Sequence, residues 1–343
     1  MPTADADAAL ISALPPGNAV KDGAALLRHA LPFDNKPIRQ VESSLEEIAD
    51  SLRAKRWNTI GRNAAKARRI LQTKQDKILT DVVSAAQAEA TTIIADMKAD
   101  LDQLDLAIEA KDKEQTWQLR RELLTHVGEI EADMVTGFPF DVPAEYSYLP
   151  QLKGRATVQM ATSQGTITLV ADGYNAPISA GNFIDLVQRG FYDGLEFNRA
   201  EENFLVQMGD PPGAATGFID PDTGVERLIP LEIRVEGEAE PIYGFTLEEI
   251  GLYMEQPMLP FSALGALAVA RPIEEPDGGS SQVFFQLYDP EVTPAGRNLL
   301  DGRYAVFGYV VENAELLKEI RVGDRIESAT VVQGLDNLVQ PAS

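Results

Sequence analysis

Apolar residues recur at spacings of three and four through the first third of the chain, and at spacings near two from about residue 150. Ile38, Val41, Leu45, Ile48 and Leu52 form one such helical stripe, and Pro37 can open that helix at its first turn. A second stripe uses Ile78, Val82, Ile93, Met97, Leu101, Leu104 and Ile108, and a third uses Leu123, Val127, Ile130 and Met134. No glycine lies between Gly61 and Gly128, and no proline between Pro37 and Pro139, so few breakers oppose helix. One uninterrupted helix of that length is out of proportion. Turns are placed near Trp57–Gly61 and Ala110–Asp112, giving an antiparallel bundle of three or four helices over residues 37–138. Residues 1–36, rich in Ala, Asp and Pro, read as an extended arm with room for one short helix.

Past a Pro- and Tyr-rich linker, residues 139–152, the grammar becomes that of strands. Ala156–Met160 and Gly165–Val170 alternate apolar and polar residues. Pro177–Gln188 reads as a helix with Phe183, Ile184 and Val187 inward. Short strand-like runs follow near Gly194–Arg199, Phe204–Met208, Ala266–Ala270, Val283–Leu287 and Ala305–Val310. Many short strands with one or two helices predict a closed antiparallel β-barrel over residues 153–335, with a tail at 336–343. The fold class is therefore α + β and multidomain: a helical bundle followed by a barrel.

Composition narrows the chemistry. The 343 residues are 44% hydrophobic and 24% charged, enough apolar residue for two cores and against wholesale disorder. Cysteine is absent, which removes disulfides, thiolate metal sites and thiol nucleophiles. The only histidines are His29 and His126, so chemistry in the second half runs without imidazole. A net charge of −23 argues against nucleic acid as a partner. Residues 1–150 carry 18 Lys and Arg against 24 Asp and Glu, net −6; residues 151–343 carry 12 against 29, net −17. Within the first half, Arg53, Lys55, Arg56, Arg62, Lys66, Arg68 and Arg69 form a basic run with no acidic residue from Ser51 to Gln75. That run is either a solvated helix surface or a docking face for an acidic surface. No stretch approaches the length of a membrane span, and the start lacks the basic and apolar regions of a signal peptide. A cytosolic protein and a mature chain with its targeting segment removed both fit. No phosphate-binding glycine loop and no EF-hand spacing appear, so no cofactor and no dedicated metal site are expected, beyond loose Ca²⁺ or Mg²⁺ binding at acidic clusters.

Phe197-Asn198-Arg199 followed by Phe204-Leu205-Val206-Gln207-Met208-Gly209-Asp210 resembles the cyclophilin signature. Three supporting segments come in the family's order: Gly265–Ala270, Ser281–Phe285 and Leu300–Gly308. Together they cover about residues 155–335. With a helical N-terminal domain and a Gly-Phe-Pro linker, the whole chain resembles the large two-domain cyclophilins of the thylakoid lumen. That resemblance implies a peptidyl-prolyl cis-trans isomerase and chaperone of the lumen. Its implied partners are proline-containing loops of photosystem II subunits, during assembly and repair.

The reaction implied suits a chain without cysteine or a second-half histidine. It breaks no bond and transfers no proton; amide resonance alone sets the uncatalysed barrier of about 18–20 kcal/mol. By resemblance, Arg199 is the catalytic group, donating to the prolyl nitrogen as the bond twists. Phe204, Leu205, Phe284 and Leu300 form the proline pocket, Gln207 steadies Arg199, and Gln282 hydrogen-bonds the peptide backbone. Ala270, Arg271 and Tyr304 complete the groove. Taken singly, these residues have plainer readings: core for a lone Phe or Leu, a turn residue for Gln282, and for Arg199 a surface ion pair with Glu196 or Glu201. The chain also departs from the family. Leu299 stands where a tryptophan is usual, Tyr304 for the pocket histidine, Arg271 for the groove asparagine and Leu205 for the pocket methionine. Arg271 and Pro272 have the bulk to obstruct the groove. The stretch from Asp210 to Gly265 is longer than usual and rich in glutamate, readable as a surface loop or as a cover. Two alternatives to catalysis stand: a scaffold that binds proline segments without accelerating them, and a groove regulated by the helical domain docking on the barrel.

Overall fold

The structure is a computed structural model that describes residues 20–221, 223–287 and 298–341. It comprises two compact units: one spans residues 31–138, and the other joins the segment ending at Ala30 to the chain from Pro139 onward. The first helix, α1 (Gly23–His29), thus belongs with the C-terminal unit.

Six helices build the unit of residues 31–138: α2 (Lys36–Glu46), α3 (Ile48–Arg53), α4 (Trp57–Thr73), α5 (Gln75–Thr80), α6 (Gln87–Ala110) and α7 (Lys113–Ala132). Asn35 caps α2 by accepting from the Ile38 N–H at 3.0 Å, one residue before the helix begins. The first stripe is wholly interior: Ile38, Val41, Leu45, Ile48 and Leu52 have no exposed surface. The second stripe is shared by α5 and α6, with Ile94 fully inside and Ile93 half-buried. The turn expected at Trp57–Gly61 falls earlier, at Ala54–Arg56, where Lys55 takes a left-handed conformation (φ 54°). Gly61 is simply a helical residue, with only the Ile108 side chain near where a Cβ would sit. The turn at Lys111–Asp112 falls where the stripes placed it. Six short and long helices therefore replace the expected three or four.

In the second unit come β1 (Gln151–Leu152), β2 (Arg155–Thr162), β3 (Gly165–Asp172) and α8 (Pro177–Gln188). They are followed by β4 (Arg199–Glu201), β5 (Leu205–Met208), β6 (Glu232–Ile233), β7 (Ile242–Tyr243) and β8 (Ala266–Val269). The last strands are β9 (Val283–Gln286), β10 (Val306–Glu312), β11 (Ile326–Gln333) and β12 (Leu338–Val339). Eight of them form one antiparallel sheet in the order β11-β2-β3-β10-β8-β9-β5-β4. The expected closed barrel is corrected: the sheet is strongly curled but open. Its two end strands, β11 and β4, share no ladder; Glu196 and Arg325, just before them, form an isolated bridge. The run Gly194–Arg199 is not a strand beyond that bridge, and β4 starts only at Arg199.

The curl gives the sheet two apolar faces. Val206, Met208, Leu267, Val269, Val283 and Phe285 point inward, into a core that α8 fills with Phe183, Ile184 and Val187. Their neighbours in sequence, Leu205, Ala266, Ala268 and Phe284, point outward, and that face has its own cluster with Leu26, Leu27, Ala30, Phe261 and Tyr309. The residues expected to be an extended arm thus include a helix that covers part of the sheet. Asp22 caps α1 by accepting from the Ala24 N–H at 3.0 Å, and Ser262 Oγ donates to the Val20 carbonyl at 2.7 Å. Arg155 donates to the Leu27 carbonyl. Gly23 is required at the crossing: a Cβ there would lie 2.7 Å from Tyr309 Cβ. Linker and tail are also more ordered than composition suggests, since β1 pairs with β12.

Candidate functional site

The candidate residues are gathered by strand register. Arg199 lies opposite Gln207, Gln207 opposite Phe284, and Phe284 opposite Ala268, one row across β4, β5, β9 and β8. Residues paired this way face the same side of a sheet, here the outer face. The β4–β5 turn is tight, with Asn203 left-handed (φ 57°) and the Phe204 N–H bonded to the Glu201 carbonyl at 3.0 Å. Gly209 ends β5 at φ 93°, and a Cβ there would lie 2.3 Å from the Ser281 carbonyl oxygen. That close approach brings Gln282 beside Gln207.

The glutamines are committed to each other. Gln207 Nε2 donates to Gln282 Oε1 at 2.6 Å, and Gln282 Nε2 donates to the Thr216 carbonyl at 2.7 Å and to Asp210 at 3.2 Å. Gln207 therefore bonds Gln282 where it was expected to steady Arg199. The guanidinium pairs instead with Glu201 on the same strand: Nε to Oε1 at 2.7 Å and Nη2 to the same oxygen at 2.6 Å. Both side chains are 47% exposed. Of the two partners its sequence neighbourhood offers, Glu201 takes Arg199, while Glu196 pairs with Arg325 at 2.6 Å.

The apolar floor is present and largely covered. Phe284 is 3% exposed and Leu205 5%, whereas Phe204 at the rim is 36% exposed. Phe261 stacks on Phe284 at 5.8 Å, and Tyr304 meets it edge-on at 5.4 Å. Leu300 is half-buried beside them in the same cluster, while Leu299, in the place of the usual tryptophan, is 83% exposed. Arg271 lies over the Tyr304 ring at 5.2 Å and is fastened to backbone: Nη1 to the Pro272 and Ile273 carbonyls, Nη2 to the Arg303 carbonyl at 2.6 Å. Desolvation pulls its pKa down, offset by Tyr304, Glu249 and Asp277. Ala270, next to it, is half-buried and bonds its N–H to the Gln282 carbonyl.

Two contributors had no sequence signal of their own. Phe261 sits in an apolar stretch indistinguishable from core. The long connection after Asp210 is more than a loose loop: it carries the β6–β7 hairpin and a small core of Leu231, Ile233, Val235 and Leu247 with Ala305. It reaches the turn that bears Leu300 and Tyr304, with Glu248 bonded to Arg303 at 2.7 Å and the Leu247 N–H to the Gly302 carbonyl. Glu232 in that hairpin is fully buried and accepts from the Ser179 N–H at the start of α8. Burial raises its pKa to about 7, against the lowering effect of the Ser179 and Ile178 hydrogen bonds.

Comparison with known proteins agrees with both units. Residues 157–337 match the family described as cyclophilin type peptidyl-prolyl cis-trans isomerase/CLD. Residues 22–135 match the PsbQ-like domain of peptidyl-prolyl cis-trans isomerase CYP38-like proteins. The chain is 55% identical to the thylakoid lumen peptidyl-prolyl isomerase homologue sll0408 of Synechocystis sp., over 96% of this chain and 87% of that one. It is 46% identical to chloroplastic CYP38 of Arabidopsis thaliana, over 97% of this chain and 78% of that protein. Chloroplastic CYP37 of the same plant is 30% identical over 94% and 71%.

Proposed function

The chain belongs to the cyclophilin-type peptidyl-prolyl cis-trans isomerases, and we propose that it catalyses that isomerisation in the thylakoid lumen with Arg199 as the electrostatic group. The observation that carries this reading is the row Arg199, Gln207, Phe284, which sets a guanidinium at the rim of an aromatic floor. As the bond before proline twists, resonance is lost and the prolyl nitrogen becomes pyramidal and basic. A donor aimed at that nitrogen binds the twisted state better than either planar one, which is what lowers a barrier. The floor of Leu205, Phe284 and Leu300 receives the proline ring, and Phe204 flanks it.

The closed floor sets the pace. With Phe284 covered by Phe261 and Tyr304, entry of a proline ring requires the Tyr304 ring to swing aside, so KM is raised and kcat/KM is modest. The same cover favours a second reading, a proline-binding scaffold without acceleration. The proposed clients are proline-bearing loops of photosystem II subunits, supported by the resemblance to lumenal two-domain cyclophilins. The test is isomerisation of a proline peptide by the full chain, alongside the affinity of that peptide. Isomerase action predicts that Arg199→Ala loses about 100-fold in rate, typical of a lost transition-state donor, with affinity little changed. Binding without any acceleration by the parent leaves the scaffold reading.

A further inference from the structure

At rest the catalytic candidate is not free. Arg199 and Glu201 are alternate residues of β4, so their side chains leave the strand on the same side. One carboxylate oxygen of Glu201 takes both Nε and Nη2 of the guanidinium. Gln207 gives its Nε2 to Gln282 Oε1, and the guanidinium's bonds go to Glu201.

The segment that carries Arg199 is anionic. From Gly194 to Thr216, Arg199 is the only cationic residue, against Asp193 just before and Glu196, Glu201, Glu202 and Asp210 within. Since Glu201 neutralises Arg199 and Glu196 is neutralised by Arg325, Glu202 and Asp210 leave this rim negative. Exposed ion pairs contribute little and exchange partners readily. A lysine or arginine entering beside the groove can therefore take the Glu201 carboxylate and leave the Arg199 guanidinium to turn toward the floor.

We propose that Glu201 is a specificity-determining positioning residue, holding Arg199 away from the reacting bond until a cationic residue next to the substrate proline releases it. This rests on the reading of Arg199 as the catalytic group. The enzyme then favours proline segments flanked by lysine or arginine, and disfavours those flanked by glutamate. The preference has two sources in one residue: attraction to the Glu201 carboxylate, and liberation of the donor. The first appears in KM and the second in kcat, so the pair is separable by kinetics.

The experiment measures kcat and KM of the full chain on three proline peptides, identical except for Lys, Ala or Glu beside the proline, at low and high salt. The parent is expected to prefer the Lys peptide over the Glu peptide by about tenfold in kcat/KM, with the gap shrinking at high salt. Glu201→Gln is expected to raise kcat on the Ala peptide several-fold and to flatten the preference. Glu196→Gln removes the same charge nearby and is expected to keep it. A flattening of equal size in both variants, or an unchanged or lower kcat on the Ala peptide in Glu201→Gln, overturns the proposal. Arg199→Ala separates the two layers: unchanged rates on all three peptides defeat the catalytic reading itself, whereas a uniform loss with no effect of Glu201→Gln defeats only the gate.

Discussion

In the proposed site, Tyr304 is the residue on which access to the Phe284 floor turns. Its ring stands edge-on to Phe284, and Arg271, held by three backbone carbonyls, lies over it. Packing from both sides makes the closed position the resting one. Tyr304→Ala is expected to uncover Phe284 and lower KM for a proline peptide several-fold, read by steady-state kinetics; an unchanged KM would mean that the ring does not limit entry. The candidate residues Arg199, Phe204, Gln207, Gln282 and Phe284 were legible as ordered segments, and the sheet register sets Arg199, Gln207 and Phe284 in one row. Their partners were only half legible. Glu196 and Glu201 were both visible as ion-pair options for Arg199, but the expected strand ended at Arg199 where β4 runs on to Glu201, and the choice also depended on Arg325, 126 positions further on. The mutual bond of Gln207 and Gln282 likewise depends on a backbone approach at Gly209 that no local pattern announces.

Two elements hold the sheet in ways the hydrophobic pattern only partly disclosed. Helix α1 is seven residues long, too short for its stripe to stand out, yet Leu26 and Leu27 are buried in the outer-face cluster. Leu27→Ala is expected to destabilise the C-terminal unit by about 2–4 kcal/mol, measured by denaturant unfolding, as for other buried leucines. Strand β11 carries no clean alternation: it buries only Ile326 and Ala329, three positions apart, and exposes Val332 along with its polar residues. By contrast α8 was read with its bounds intact, since Pro177 opens it and an apolar run fills it. The β6–β7 hairpin carries a pH dependence through Glu232, whose neighbours are the α8 N-terminus, Tyr243 and Tyr146. Its pKa rises on folding from 4.5 to about 7, so the folded state holds a proton that the unfolded state has lost between those values. Stability therefore falls as pH rises through that window, and the full contribution is present below 4.5. Melting temperatures across that window should drop with pH in the parent and drop less in Glu232→Gln; equal slopes would remove Glu232 from the account.

At the scale of the molecule, the division into a helical and a sheet unit was legible from the change of apolar period near residue 150. Closure of the sheet was not, because period two says which residues face inward and nothing about whether the end strands meet. Nor could periodicity show that residues 20–30 belong with the sheet unit. For that reason a fragment starting at residue 150 would lack Leu26, Leu27 and Ala30 from its outer cluster, and function is to be read on the full chain. The decisive measurement is the rate of cis/trans exchange of a proline peptide, followed by exchange NMR with full-length parent and Arg199→Ala at equal concentration. Exchange accelerated by the parent and reduced about 100-fold in the variant is the result predicted here. Equal acceleration by both proteins would contradict it.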